Sequence, residues 1–519
     1  MARAKFLSAV VAAAFLSPAL RARAADVGAP PPVLQQTAAP VASGVASGVA
    51  RAADPAASSP SADPRDVLPP PDRLTLTPEY ASDAPVPIRR APLMDVLNYL
   101  GYAQPLEKAG INVYGEVEGS FNYNFSDPHV YEPARESHQI ELRMYDHHSN
   151  QAILQRMDLY VDRVVNYHHT TQFDLGGLVE LQYGHDAAMM HSNGLMDYRK
   201  NPASPTGYGT EHNPYYQWDL TEAFLDFALP VGNGLRVRAG KFATIMGYES
   251  CDPVHNQAIQ FYSRTYLLTF GIPMYQTGGY ATYDISDNVT ANAGFSRGWE
   301  QAFKDNNSAI DFLGSINFIL NDNFTDYVAL SEGPEEPSDD SHYRTDLENI
   351  VYFTPNPRGP WNFALDALLG FEDDRVTEYF NFVSPEAEAT AFSNKPPGNV
   401  SWKAVALFGG YRINNRLQVK ARVEWFDDDG GTRFRYPYAD RNYTATVMSD
   451  SAVQIGKNYN AYEATFGLDW YPFTRYLATL KIRPELRFDY TDKAILVVDR
   501  NGHNTHDQLT FGIDALYRF

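Results

Sequence analysis

At 519 residues the chain could hold several ordinary domains, and 42 basic against 63 acidic residues give it a formal charge of −21. That balance argues against nucleic acid as a partner, because phosphate binding needs a clustered basic surface. Hydrophobic residues make up 44% of the chain, yet no apolar run of about 18 residues follows the amino terminus, which excludes a helical membrane protein.

Residues 1–24 read as a secretory signal. Arg3 and Lys5 form its positive region, Phe6 to Leu16 its short apolar core, and Ala22-Arg23-Ala24 an A-x-A cleavage pattern. Residues 25–90 are dominated by Ala, Pro, Ser, Gly and Val, with Pro30-Pro31-Pro32 and Pro69-Pro70-Pro71 as landmarks. Too few large apolar residues are present to offset the entropy of ordering, so this stretch is predicted to be a disordered periplasmic tether. Over 91–110, Leu93, Val96, Leu97 and Leu100 recur at helical spacing until Gly101 interrupts, which predicts a short amphipathic helix on the periplasmic side. Cys251 is the sole cysteine, so no intramolecular disulfide can form.

From residue 111 to 519 the period switches to two. In Val113–Phe125 the residues Val113, Val117, Phe121 and Phe125 alternate with Glu116, Glu118, Asn122 and Asn124. The same dyad recurs in Phe173–Tyr183, Leu417–Trp425 and Leu480–Tyr490. Segments of about ten such residues span a bilayer at a tilt. Sixteen are predicted, opening with 112–125, 153–165 and 172–184 and closing with 478–490 and 508–519. Seven short turns and eight long loops alternate between them. A bilayer offers no hydrogen-bond partners, so strands cross it only as a closed barrel. The expected fold is therefore all-β: a transmembrane antiparallel β-barrel of about 16 strands, wide enough for an aqueous channel.

Tyr114, Phe121, Tyr123, Trp218, Trp361, Trp402, Trp425, Trp470, Tyr471 and Tyr517 fall near predicted strand ends, where interfacial girdles belong. In the last strand Leu509, Phe511, Ile513, Ala515, Tyr517 and Phe519 alternate with polar residues. A final strand with Tyr517 and a terminal Phe519 resembles the signal by which the outer-membrane barrel-assembly machinery recognises its clients.

The run Ala239-Gly240-Lys241-Phe242-Ala243-Thr244-Ile245-Met246-Gly247-Tyr248-Glu249 leads to Ser263-Arg264-Thr265-Tyr266-Leu267, Pro273 and Thr277-Gly278. With Gly110-Ile111-Asn112-Val113-Tyr114-Gly115 before Glu118, it resembles the beta-barrel porin-2, OmpL-like family over about 92–519. The resemblance implies a porin without fixing any substrate; with the wide barrel, the expected function is passive diffusion of small hydrophilic solutes or ions across a Gram-negative outer membrane. Outer-membrane lipid and lipopolysaccharide are the expected surroundings, and a homo-oligomer follows only by analogy with general porins. No cofactor, catalytic set or metal site is expected. The rival readings are a structural or adhesion barrel tethered to the envelope and an outer-membrane enzyme.

The third long loop narrows the lumen of general sixteen-stranded porins. By that analogy Glu249, Asp252 and Arg264 are expected to line a constriction, the other reading being a loop packed on the rim. Inward charge is segregated along the chain. Expected pore-lining acids are Glu116, Glu118, Asp158, Asp162, Asp174, Glu180, Glu222 and Asp226; expected pore-lining bases are Arg236, Arg238, Lys420, Arg422, Lys481, Arg483 and Arg487. Opposed ladders of this kind would set up a transverse field, and replacing Arg483 and Arg487 by Ser would then shift ion selectivity. Inward salt bridges that only stabilise the wall are the alternative. His138, His147, His148, His185 and His191 fall in long loops without zinc-motif spacing, and they read as surface histidines.

Overall fold

A computed structural model describes residues 92–126, 140–196, 216–251, 259–336, 339–357, 359–373, 398–435, 453, 456–473, 479–498 and 504–519. The predicted signal and tether, and Asp252, lie outside the described residues.

Alternation produces β1 (Asn112–Asn124), β2 (Ala152–Arg163), β3 (Asp174–Gly184), β4 (Gln217–Leu229), β5 (Leu235–Ala243) and β6 (Tyr275–Ser286). The series continues with β7 (Val289–Ser296), β8 (Asp311–Asn321), β9 (Phe324–Pro334), β10 (Tyr343–Phe353), β11 (Trp361–Glu372) and β12 (Val400–Asn414). Then come β13 (Leu417–Asp429), β14 (Asn458–Trp470) and β15 (Lys481–Thr491), a small hairpin of β16 (Leu496–Val498) and β17 (Asn504–Thr505), and finally β18 (Asp507–Arg518). Apart from the hairpin, each strand pairs antiparallel with its neighbours and β18 returns to β1. The result is the expected closed barrel of sixteen strands, with no sheet edge to leave backbone groups unsatisfied in lipid.

The seam is finished by Phe519, whose N–H and C=O exchange 2.8 Å bonds with Gly115. Its ring occupies the space a Cβ on Gly115 would need, 2.5 Å away, so glycine there admits the aromatic ring. Toward the long-loop end β9 runs to Pro334, β10 starts at Tyr343 and β14 at Asn458, beyond the stretch in which the outward residues are apolar. The outward residues on those extensions include Glu332, Thr345, Asn458 and Asn460, so the apolar half of the pattern vanishes where a strand projects beyond lipid.

Outward positions form an apolar belt. Leu225, Leu407 and Phe466 are each at least half exposed, in a ring no water-soluble barrel would display. Aromatic pairs border it at both ends. Trp361 packs on Tyr411 and Phe324 on Phe353 at the short-turn end, while Tyr123–Phe125 and Tyr183–Trp218 lie at the long-loop end. Two expected girdle members face inward instead. Trp402 is fully buried in the lumen, and Tyr114 stacks on the buried Tyr160 with ring centroids 4.8 Å apart.

Before β1, the chain forms α1 (Pro92–Tyr99) and α2 (Ala103–Lys108), broken at Gly101, whose φ of 83° suits glycine. Their Tyr99, Leu100 and Tyr102 are exposed, and Met94 is buried. A third helix, α3 (His185–Met189), follows β3 at the long-loop end.

Candidate functional site

The third long loop, between β5 and β6, enters the barrel. Its described residues up to 251 and from 259 are almost all buried, including Tyr248, Phe261, Tyr262, Tyr266, Leu268 and Phe270. Gly247, with φ of 98°, turns the chain inward, and the Thr244 hydroxyl accepts the Met246 N–H at 3.2 Å. Further on, Thr265 accepts the Leu268 N–H at 3.1 Å and starts a single π-turn, Leu267–Gly271.

Irregular backbone inside a lumen cannot satisfy its own polar groups, so the wall does it. The Glu424 carboxylate on β13 accepts the Tyr266 and Leu267 N–H groups, both at 2.7 Å. On β15, Glu485 accepts those of Tyr262 and Ser263 at 3.0 Å. Glu348 on β10 takes the Gly247 N–H at 2.7 Å, and Asp366 on β11 takes that of Tyr248 at 3.1 Å. Cations serve the carbonyls: Lys420 binds Gln260 O at 2.5 Å, Arg422 binds Ser263 O at 2.9 Å and Arg487 binds Arg264 O at 2.6 Å. Trp402 donates its indole N–H to Gly271 O at 3.1 Å, and its ring fills a slot that any Cβ on Gly370 would close. All four carboxylates sit well inside their strands, so the segment is anchored deep in the barrel. Packing on the rim is thereby overturned.

The charged residues expected to line an open pore are mostly buried and paired. Among the bases, Arg238 forms a two-pronged bond to Asp226 at 2.8 Å, and Arg236 donates to Thr282 at 2.8 Å. Lys420 binds Asp469 at 2.5 Å; Arg422 binds Glu463 at 2.6 Å and Glu249 at 2.8 Å. Arg483 holds Asp514 at 2.7 Å and Glu118 at 2.9 Å, and Arg487 holds Asp489 at 2.8 Å. Lys481 is half-buried toward the short-turn end.

Among the acids, Glu116 lies 3.6 Å from Arg518 and Asp158 lies 3.5 Å from Arg156. Asp162 accepts from Asn112 at 2.8 Å, Glu180 from the Tyr160 hydroxyl at 3.1 Å and Glu222 from the Ala243 N–H at 2.8 Å. Asp174 is half-exposed at the short-turn end and pairs with Arg163 at 2.8 Å. Segregation along the sequence therefore does not become two opposed, unpaired ladders, because the late bases meet late acids that the sequence reading left out. Glu249 and Arg264 are buried within the lumen segment rather than exposed on it. Arg264 folds back on the Phe261 carbonyl and lies over the Tyr145 ring, 5.2 Å from its centroid.

The family model described as "Putative beta-barrel porin-2, OmpL-like" matches residues 110–519. The chain belongs to that porin family. It is thus an outer-membrane β-barrel porin, and its family and fold are those of a channel rather than an enzyme. No curated protein matches the chain. Among solved structures, the outer-membrane channel DcaP of Acinetobacter baumannii is 13% identical with a TM-score of 0.44, over 79% of this chain and 98% of DcaP. An anion-selective porin from Comamonas acidovorans is 10% identical with a TM-score of 0.45, over 79% of this chain and 99% of its own. OprB of Pseudomonas putida is 12% identical with a TM-score of 0.44, over 81% of this chain and 97% of its own.

Other loops of the porin also occupy the long-loop end of its lumen. From the first, Arg143 pairs with Asp146 and, across the seam, with Asp489 on β15. The Tyr145 hydroxyl donates to the Met190 sulfur at 2.8 Å, beyond α3 in the second long loop. His147, His148, His185 and His191 are buried, against the surface reading; His138 lies outside the described residues. Burial pushes the His147 imidazole down to about 4 and holds His148 well below the usual range, with His147 and His185 adding to the effect on His148.

Proposed function

We propose that this porin carries small hydrophilic solutes passively and that residues 244–251 and 259–274 set the width of their path. The observation behind the proposal is the docking of that segment on carboxylates of four wall strands, β10, β11, β13 and β15. A segment so tied is a fixed obstacle, which narrows a sixteen-stranded lumen without closing it by chance motion. The expected result for purified protein in planar bilayers is stable, stepwise single-channel openings. A silent membrane would instead favour a structural or adhesion barrel.

Residues 1–24 direct export in this reading, 25–90 stay periplasmic, and the long-loop end faces lipopolysaccharide. No catalytic step is assigned to any residue. Association of several barrels through the apolar belt fits the same surface. Outward-facing Tyr517 and Phe519 on and beside β18 act as the contact for the barrel-assembly machinery, with Phe519 also closing the seam at Gly115. Replacing Phe519 by Ala is expected to lower the amount of folded barrel recovered from outer membranes; recovery equal to wild type would remove that role.

A further inference from the structure

The first and second long loops bring together three histidines that the channel reading does not use. His147 and His148 follow Asp146 in the first loop, and His185 opens α3 before Asp186. They meet because β1, β2 and β3 are adjacent, so both loops emerge at the same end of neighbouring strands. Their ring centroids are 3.9 Å apart for His147–His148 and 4.7 Å for each contact with His185. One ring nitrogen from each lies within 4.8 Å of the other two, and all three side chains are buried.

The hydrogen bonding of His147 adds an independent observation. Its Nδ1–H donates to the Met144 carbonyl at 2.7 Å and lies 3.4 Å from His185 Nε2, which leaves its own Nε2 as the lone-pair nitrogen that a turn of the ring would bring to an ion. That buried Nε2 has no hydrogen-bond partner. A backbone carbonyl on one nitrogen and an unoccupied lone pair on the other is how metal-binding histidines are oriented.

We propose that His147, His148 and His185 bind a first-row divalent transition-metal cation, with zinc as the reference ion. Imidazole nitrogens suit zinc, copper and nickel, whereas calcium and magnesium want oxygen donors. Zinc–nitrogen bonds of about 2.0–2.1 Å place donors in a tetrahedral site roughly 3.4 Å apart. The present nitrogens, within 4.8 Å of one another, would have to draw together to close on an ion at that bond length. Three protein ligands leave the fourth position to water or an anion. Asp146, bonded to Arg143, and Asp186, 3.1 Å from Arg156, flank the ligands in sequence, and their charges are already balanced by those arginines, so the imidazoles alone would hold the ion. The ion would fasten the first long loop to the second at the long-loop mouth.

The test uses folded, tag-free protein in detergent, titrated with Zn2+ against a chromophoric chelator and with Co2+ followed by visible absorption. One tight equivalent and a tetrahedral Co2+ spectrum are expected in the wild type. His148→Ala and His185→Ala should each weaken Zn2+ binding by about tenfold or more, whereas His342→Ala should leave it unchanged. Folding of each variant is checked by its mobility on unboiled gels. Should an alanine variant fail to fold, His148→Gln and His185→Gln, which fill more of the same space without an imidazole nitrogen, take its place in the Zn2+ titration. A folded wild type that takes up no stoichiometric Zn2+, or binding that persists in both variants, overturns the site.

Discussion

Excising the lumen segment, by joining Thr244 to Pro273 through a short glycine–serine linker, is expected to raise single-channel conductance severalfold while the barrel still folds. The wall does not depend on the segment for its strand pairing, because β5 and β6 are directly hydrogen-bonded to each other from Leu235↔Tyr283 to Ala243↔Tyr275. What disappears is an obstacle tied to four strands, together with the apolar packing of Phe261, Tyr266, Leu268 and Phe270 inside the lumen. Glu424, Glu485, Arg422 and Arg487 would then face water, and hydration replaces the backbone partners they lose. Each charge-assisted bond lost costs about 1.5–3 kcal/mol against its hydrated state, so a lower unfolding temperature accompanies the wider path. Conductance equal to wild type, measured on protein with folded gel mobility, would show that the segment does not limit flow.

The second large effect concerns Arg483. This guanidinium on β15 reaches Asp514 on β18 and Glu118 on β1, so one side chain links three consecutive strands across the closing seam. Replacing it by Met keeps the volume and leaves two buried carboxylates facing each other. Breaking a buried network this way costs about 3–5 kcal/mol. The expected readout is a fall in the temperature at which folded barrel converts to the slower-migrating unfolded form. Adding Glu118→Gln to Arg483→Met should recover part of the loss, because only one carboxylate then lacks its partner. An unaltered transition in the single variant would mean that water, not Arg483, balances the seam. Arg483 substitution is therefore expected to act on stability first, and any shift in ion selectivity would follow from the altered seam.

The wall of this barrel was legible in its sequence, because a strand between lipid and lumen must alternate. Residues 312–355, where the pattern is weakest, resolve into β8, β9 and β10 with the turns and loops in their expected order. The lumen was much less legible. Alternation tells which residues face inward but not what they meet there. Alternation turns Glu424 and Glu485 inward, but their partners are amides 157 and 223 residues away. Trp402 looked like a girdle residue because it lies near a strand end. Its parity with Ala404, Ala406 and Phe408, all buried, was the available clue to an apolar inner face. The histidines were misread for the same reason: 147, 148 and 185 have no motif spacing, and only strand adjacency unites them.

The depth at which the third loop is tethered has a consequence for how the molecule is made. Its anchors belong to β10, β11, β13 and β15, and none of them is in position until the second half of the wall has formed. The loop can settle only into a wall in which those four strands are already paired. Closure and narrowing are therefore ordered in time. A wall lacking any of these strands would lack part of the loop's seat, so the strands that complete the barrel also calibrate its bore.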